Sequence, residues 1–215
     1  MAASRWTLDP EIDAFLAKME LPPAPFMEQL MAERMPVEQA APQVGTQAPA
    51  FQAERLSVTG ALTGQCTSLA DFKGRNLALL FGSYTCPVYR GQIDRFNDIY
   101  SELGDELAFL LVYISEAHPE DGWQVGINHT QGVVYDQPEF SSARAAIAAD
   151  CMVSAKVRIP VAIDNMENSI SEAYSASPER LYLIDGDGVV RHRSDMGPFR
   201  METVEAWYSA LLDRQ

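Results

Sequence analysis

The chain has 215 residues, a formal net charge of −14 and a hydrophobic fraction of 47%. That length fits one domain of ordinary size with an extension, and that hydrophobic fraction is enough for a full core. An intrinsically disordered protein is therefore excluded. The negative charge also excludes a protein that binds nucleic-acid phosphates or anionic lipid through a basic face.

No segment of the sequence predicts a membrane anchor or a secretion signal. The longest apolar run, residues 107–114, is far shorter than the ~20 residues that cross a bilayer. The N-terminus carries acids where a signal peptide would need a basic and then an apolar stretch. We therefore expect a soluble, cytoplasmic protein.

Residues 1–48 are predicted to form an N-terminal helical arm, and residues 49–215 the main domain. The first 50 residues contain 7 of the 13 prolines and 5 of the 9 methionines. Asp9 and Pro10 fit the start of a helix that ends at Pro22, and a second helix is expected over residues 25–35. Such an arm packs either on its own domain or on a partner subunit, and its adaptable apolar composition favours a homodimer contact.

From residue 51 the pattern changes to short strands and helices. A hairpin is expected to start with a strand over 51–58. Buried strands follow at 76–82, 106–114, 161–164 and 181–185, and a return strand at 189–193 comes after the Asp-Gly turn at 185–188. Helices are predicted over 87–103, 140–151, 170–176 and 202–212. This order gives a parallel βαβ unit with an antiparallel edge, the thioredoxin-like mixed sheet flanked by helices.

The chemistry is expected where the first two parallel strands end. Ligands bind outside the carboxyl ends of the strands in such sheets. One strand leads to Ser83, Thr85 and Cys86, and the other leads to Glu116 and His118. We therefore expect a thiol, two hydroxyls, an acid and an imidazole at one edge.

Cys86 is the candidate nucleophile because it precedes Pro87 at the first turn of a helix. Unpaired N–H groups and the helix dipole at that position favour a thiolate, so a depressed pKa is predicted. His118 is a candidate proton donor or thiolate partner, and Glu116 could orient its ring. Simpler interpretations are a structural cysteine, a histidine that caps a turn and an exposed loop acid.

The other cysteines, Cys66 and Cys151, form no CxxC pair with Cys86, and the three histidines are far apart in sequence. Neither a disulfide framework nor a metal site is expected.

Four segments resemble the iodothyronine deiodinase family in order and spacing: FGSYTCP, FLLVYISEAHPEDGW, IDNMENSISEAY and ERLYLI. The resemblance covers residues 69–212. It implies a thioredoxin-like enzyme that removes iodine reductively from an aromatic ring, with no bound cofactor, an external thiol reductant and a homodimeric assembly. The family's selenocysteine nucleophile falls on Cys86. Its proton relay falls on Tyr113, Glu116 and His118, with a serine at Ser83.

The resemblance also suggests substrate-binding residues, namely Glu179, Trp123 and the position of Met196. Met196 stands where the family has a basic residue that grips the hormone's carboxylate. Weak binding of thyroid hormone, and better use of smaller or uncharged iodinated phenols, are therefore expected. Tyr84 replaces a family cysteine, which leaves Cys151 as a possible resolving thiol, and a second family histidine falls near Gln137 and Pro138.

The predicted function is a deiodinase-like thiol oxidoreductase in which Cys86 attacks iodine. The first alternative is a peroxiredoxin-like thiol peroxidase, since Ser83 and Cys86 fit half of that family's motif, although Leu79 stands where its proline belongs. Both reactions leave an oxidised sulfur. The second alternative is a non-catalytic thioredoxin-fold binding module whose arm mediates assembly.

Overall fold

The computed structural model describes residues 24–213. The strands are β1 (Gln52–Leu56), β2 (Leu62–Ser68), β3 (Leu77–Gly82), β4 (Ala108–Tyr113), β5 (Val161–Ile163), β6 (Arg180–Ile184) and β7 (Val190–Arg193). The helices are α1 (Ala24–Ala40), α2 (Pro87–Leu103), α3 (Gly126–Gln131), α4 (Ser141–Ser154), α5 (Ser169–Ala173) and α6 (Met201–Leu212). A 3₁₀ turn spans Leu69–Phe72.

The strands form one seven-stranded sheet in the order β2-β1-β5-β4-β3-β6-β7. β4 pairs in parallel with β3 and β5, whereas β6 is antiparallel to β3, and β7 to β6. This is the predicted thioredoxin-like arrangement, and the prediction is confirmed. Among residues 24–213, no helix is long and apolar enough to span a membrane.

The central strands β3 and β4 are buried along their whole length because the sheet carries an apolar layer on each face. Side chains alternate between faces along a strand. Ala78 and Leu80 accordingly face α2 and the buried Trp207 of α6, whereas Leu77, Leu79 and Phe81 face Tyr174 and Tyr182. The continuous apolar runs in the sequence reflect this burial on both sides.

The arm is attached to the β7 edge of the sheet. α1 continues through Pro36 to Ala40, so the expected end near residue 35 is wrong. The last turn is held in place because the Glu38 carboxylate accepts hydrogen bonds from Arg180 on β6. Beyond the helix, the Gly45 N–H donates to the Val190 carbonyl, and the Ala48 N–H donates to that of Gly188, each at 2.8 Å. The helix expected between Asp9 and Pro22 lies outside the described residues.

One element was missed. α3 has six residues between Gly126 and Gly132, and Gly132 adopts a left-handed φ of 69° at its end. A helix of this length shows no readable apolar periodicity, so it could not be predicted from the pattern of apolar residues. The remaining predicted helices and strands of the main domain are observed with ends shifted by a few residues.

Candidate active site

The register of β3 and β4 creates the site. Gly82, the last residue of β3, lies beside Tyr113, the last residue of β4. The segments that follow, residues 83–86 and 114–118, therefore leave the sheet side by side at its carboxyl edge. Cys86 sits in extended conformation at the N-cap of α2, and Pro87 follows as a helix-starting residue whose missing N–H costs nothing there.

Glu116 is the centre of a buried hydrogen-bond network. Its Oε2 accepts bonds from the Thr85 N–H at 2.9 Å and the Thr85 hydroxyl at 2.7 Å. Its Oε1 accepts the hydroxyl of Tyr113, whose oxygen in turn accepts the Tyr84 N–H at 2.9 Å. Burial raises the pKa of Glu116, and the bonds from Tyr113 and Thr85 oppose that rise. Both carboxyl oxygens are thereby held in fixed positions.

The two predicted hydroxyls join the nucleophile segment to the loop after β4. The Thr85 hydroxyl oxygen accepts the His118 N–H at 3.0 Å. The Ser83 hydroxyl oxygen accepts the Ala117 N–H at 3.1 Å. Because Thr85 also donates to Glu116, one hydroxyl links the carboxylate to the backbone of His118. The structure thus brings Ser83, Thr85, Tyr113, Glu116 and His118 together around the turn that carries Cys86.

The His118 ring has a defined tautomer. Its Nδ1 lies 3.1 Å from the carbonyl oxygen of Trp123, and a carbonyl can only accept, so Nδ1 carries the proton. The Nε2 of the neutral ring is then an acceptor. Burial lowers the pKa of His118, against the effect of the Trp123 carbonyl, so the ring is neutral near pH 7. The Trp123 ring packs edge-on against it, with centroids 4.6 Å apart.

The Cys86 thiol is only 1% exposed, and this burial changes its chemistry. Burial raises its pKa well above the ordinary value, and the Glu179 carboxylate adds to that rise once it is ionised. The N–H groups of Tyr89 and Val88 at the start of α2 act in the opposite direction. The expected helix-terminus donors are therefore present, but loss of water outweighs them. The prediction of a depressed pKa is wrong for this structure.

Glu179 precedes β6 and closes the other side of the site. Its side chain is buried, and its Oε1 accepts the Phe199 N–H at 3.0 Å. Its Oε2 is buried without a hydrogen-bond partner among the described residues. Burial raises the pKa of Glu179 to about 8, so the carboxyl is protonated at neutral pH.

Glycine is required at position 197, since a Cβ there would lie 2.7 Å from the Glu179 Cγ. The half-buried Met196 comes immediately before this close approach. Two of the three positions that the resemblance assigned to substrate binding, Glu179 and Met196, are therefore close together, whereas the third, Trp123, packs against His118.

Three residues that the sequence did not single out support the site. The Arg90 guanidinium donates to the carbonyl of Tyr84 and to the side-chain oxygens of Asn128 and Gln131. Asn128 on α3 in turn donates to the Thr85 carbonyl at 2.9 Å, which ties α3 to the nucleophile segment. The position of Arg90 one turn after Cys86 was a usable signal, whereas α3 gave none.

Gln137 holds the backbone of Glu116 on both sides. Its Oε1 accepts the Glu116 N–H at 2.8 Å, and its Nε2 donates to the Glu116 carbonyl at 3.0 Å. From the sequence alone, Gln137 only lies near the position of an absent family histidine. Its amide orients Glu116.

The other two cysteines differ in their access to Cys86. All three are free thiols. Cys151 on α4 is buried in the same apolar layer as Cys86, and burial raises its pKa. Cys66 is exposed on β2, four strands from β3, or about 19 Å at roughly 4.8 Å per strand. Of the two, only Cys151 lies in the layer that contains the nucleophile. Residues 24–213 contain no cluster of three or more His, Cys, Asp or Glu side chains that could hold a metal ion.

The chain is similar to known proteins in both sequence and fold. Residues 30–212 match the sequence family described as Iodothyronine deiodinase. A Thyroxine 5-deiodinase of Gallus gallus is 34% identical over 136 residues, which cover 62% of this chain and 50% of that protein. A Type I iodothyronine deiodinase of Xenopus laevis is 33% identical over 140 residues, or 64% of this chain and 53% of that protein. The chain thus spans about half the length of the curated relatives it matches.

Solved structures share the fold at low sequence identity. A thiol:disulfide interchange protein from Bacteroides sp. gives a TM-score of 0.55 at 16% identity, covering 80% of this chain and 90% of that one. The mitochondrial 2-cys peroxiredoxin from Plasmodium falciparum gives 0.51 at 19% identity, covering 79% and 94%. These likenesses show a thioredoxin-like fold. With the sequence match over residues 30–212, they lead to one conclusion: the chain belongs to the iodothyronine deiodinase family.

Proposed function

We propose that this chain is a thiol-dependent oxidoreductase that removes iodine reductively from an iodinated phenol or related aromatic substrate. The observation that carries the proposal is the buried network of Tyr113, Glu116 and Thr85 beside the His118 loop and Cys86. A reductive deiodination needs a nucleophile for iodine and a proton for the ring carbon. The site offers a nucleophile, Cys86, shortly after the end of β3 and a proton carrier, His118, shortly after the end of β4.

In the first step the Cys86 sulfur attacks iodine. The carbon–iodine bond breaks, its electron pair stays on the ring carbon, and that carbon takes a proton. The products are the deiodinated ring and a sulfenyl iodide on Cys86. The sulfur is oxidised and the aromatic carbon is reduced.

The proton relay follows from the tautomer of His118 and the hydrogen bonds of Glu116. The neutral imidazole can accept the proton of the thiol at Nε2, and it then becomes the acid that supplies the ring carbon. Glu116, oriented by Tyr113 and Thr85, keeps the His118 backbone in place through the shared Thr85 hydroxyl. Because the resting thiol is buried and protonated, substrate entry must expose the sulfur before it reacts.

Regeneration requires a thiol reductant. Attack of an external thiol on the sulfenyl iodide releases iodide and leaves a mixed disulfide on Cys86, which a second thiol reduces. Cys151 could replace the first external thiol if α4 moves enough to bring the two sulfurs together. No bound cofactor takes part in either route. Since sulfur replaces the family's selenium, turnover should be slow.

The alternative activity is thiol peroxidase. Here Cys86 attacks the terminal oxygen of a peroxide, yielding a sulfenic acid and the alcohol. The nearby hydroxyls of Ser83 and Thr85 and the likeness to a peroxiredoxin fold support this alternative. The buried, protonated thiol does not distinguish the two reactions, since the thiolate is the nucleophile in both.

Parallel assays on the purified protein separate these possibilities. Iodide release from 3-iodophenol and consumption of hydrogen peroxide are measured with dithiothreitol as reductant. The proposal predicts iodide release that is lost in Cys86→Ser and retained in Cys66→Ser, the matched control. Peroxide consumption without iodide release would favour the peroxidase. If neither assay shows an activity that depends on Cys86, the non-catalytic binding module is the interpretation that remains.

The assembly that we propose is a homodimer in which the Met- and Pro-rich arm contributes to the contacts. In the described part of the arm, Met35 is 38% exposed. The resemblance to the family gives independent support for a dimer. Light scattering at micromolar concentration tests this, and a monomer mass would reject it.

A further inference from the structure

The first step of the proposed reaction places a negative charge where water does not reach it. The thiol proton of Cys86 passes to Nε2 of His118, and the sulfur keeps the electron pair as a thiolate until it attacks iodine. The sulfur belongs to a residue that is 1% exposed, and the N–H groups at the start of α2 compensate its charge only in part. A buried anion is costly unless a positive charge lies nearby. A cation beside the sulfur would therefore assist this step.

Arg90 on α2 is a cation whose side chain folds back toward the nucleophile. It lies one turn after Cys86, and its backbone N–H donates to the Cys86 carbonyl at 3.1 Å. Helical side chains lean toward the N-terminus of their helix. The guanidinium accordingly donates to the carbonyl of Tyr84 at 2.5 Å, and its Cζ lies 5.8 Å from the centre of the Tyr84 ring. The positive group is thus fastened to the segment that carries the thiol.

The hydrogen bonds of the Arg90 guanidinium go to neutral oxygens. Besides the carbonyl, its Nη2 donates to the side-chain oxygens of Asn128 at 2.9 Å and Gln131 at 2.6 Å, both on α3. In the described part of the chain, no Asp or Glu forms an ion pair with it. Glu116 attracts it only from a greater distance. The charge is therefore held in place without being neutralised.

This charge acts on both groups that exchange the proton. Burial raises the pKa of the Cys86 thiol, ionised Glu179 adds to the rise, and attraction to Arg90 opposes it. Burial lowers the pKa of His118, and repulsion from Arg90 lowers it further, against the effect of the Trp123 carbonyl. A lower thiol pKa favours the thiolate. A lower imidazole pKa makes the imidazolium a stronger acid toward the ring carbon.

We infer that Arg90 is a positioning residue of the proposed deiodination, and that its charge is the counterion of the Cys86 thiolate formed when the thiol proton passes to His118. The inference rests on the proposed function and deepens it by naming the charge that assists proton transfer from a buried thiol. Asn128 and Gln131 keep the guanidinium in place, so α3 contributes to the site through Arg90.

The test separates the charge of Arg90 from its hydrogen bonds. Gln131→Glu keeps an oxygen acceptor beside the guanidinium but cancels its charge. Arg90→Gln removes the charge, whereas Arg90→Lys retains it. The pKa of His118 is measured by NMR titration of its ring protons. Thiolate formation at Cys86 is measured as the rate of alkylation by iodoacetamide at neutral pH, read from the Cys86 peptide by mass spectrometry.

The two variants that remove or cancel the charge should change both measurements. In Gln131→Glu and in Arg90→Gln, the pKa of His118 should rise because the repulsion is lost. The alkylation rate of Cys86 should fall by about tenfold, the effect of one pKa unit on the thiolate fraction. Arg90→Lys should stay close to the unchanged protein in both measurements.

Arg158→Gln is the matched control for loss of an arginine. Arg158 is exposed and pairs with Asp98 of α2 at 3.6 Å, so neither measurement should change. If Arg90 only fastened α3 to the nucleophile segment, Gln131→Glu would leave both measurements unchanged, and that result would overturn the inference. Arg90→Lys that changes as much as Arg90→Gln would also overturn it. Neither measurement involves iodide release, so failure of the proposed deiodination would be seen separately, as the expected shifts in a protein that releases no iodide.

Discussion

The two sides of the Cys86 thiol are both closed by a buried carboxyl group, but the two groups are held differently. On one side, Glu116 receives three hydrogen bonds, from Tyr113 and from the backbone and hydroxyl of Thr85. On the other, Glu179 receives one bond, from the Phe199 N–H, and its second oxygen has no partner among residues 24–213. Burial raises the pKa of both carboxyls.

The number of donors decides what each carboxyl can do. Donors stabilise the ionised form and so oppose the effect of burial. Glu116 has enough of them to serve as a fixed acceptor for Tyr113 and Thr85. Glu179 has one and keeps its proton to about pH 8, so it places no negative charge beside Cys86 at neutral pH. Although both carboxyl groups are buried, Glu116 orients its neighbours, whereas Glu179 is an uncharged side chain at neutral pH.

Loss of the Glu116 charge should have the largest effect. In Glu116→Gln the new amide N–H₂ can donate but not accept, so either the Tyr113 or the Thr85 donors lose their acceptor. The rate of iodide release should fall by about 10²–10⁴-fold, the range for a disrupted acid–base relay. Glu120→Gln, at an exposed acid of the same loop, is the control. Equal turnover in the two variants would reduce Glu116 to a structural residue.

Glu179 should make folding stability depend on pH. Its folded pKa of about 8 lies above the ordinary value of 4.5, so its contribution is present below pH 4.5 and is lost as pH rises through 8. Relative to Glu179→Gln, unfolding free energy should fall by up to about 1.4 kcal/mol per pH unit in that window. Urea titrations at several pH values measure it, with the exposed Glu202→Gln as control. If the difference in unfolding free energy between the unchanged protein and Glu179→Gln stayed constant from pH 5 to 8, Glu179 would have to be ionised throughout that range.

His118→Ala should lower turnover about tenfold or more, while the melting temperature is largely kept, because the ring is a proton carrier and only half-buried. Since burial lowers its pKa, activity should fall in acid only below the ordinary histidine value of about 6.5. The exposed His129→Ala is the control for loss of an imidazole. Unchanged turnover in His118→Ala would show that another group carries the proton.

The smallest effect is expected at Gln137, which acts on Glu116 only through the backbone. Gln137→Ala removes both of its hydrogen bonds to Glu116, and each is worth about 0.5–1.5 kcal/mol. Urea unfolding should show a loss of that order, with a modest drop in turnover. Gln65→Ala on the exposed β2 strand serves for comparison. A variant as stable as the unchanged protein would mean that water replaces the amide.

The sequence predicted the positions of these groups better than their environments. The continuous apolar runs identified β3 and β4, and parallel pairing then placed Cys86 and Glu116 at one edge. The thiolate prediction failed because a helix start reveals the donors near a sulfur but not how completely the sulfur is buried. The partnership of Glu38 with Arg180 was also invisible, since these residues are 142 positions apart and no local pattern connects them.

Attack of Cys86 on iodine can be tested in a single turnover without reductant. Protein is mixed with 3-iodophenol, free iodide is measured, and oxidised Cys86 is trapped with dimedone after water converts the sulfenyl iodide to a sulfenic acid. If Cys86 attacks iodine, the amount of iodide should equal the amount of dimedone-labelled Cys86, as identified by peptide mass spectrometry, and Cys66 should stay unlabelled. Iodide release that leaves Cys86 unmodified, or that persists in Cys86→Ser, would contradict it.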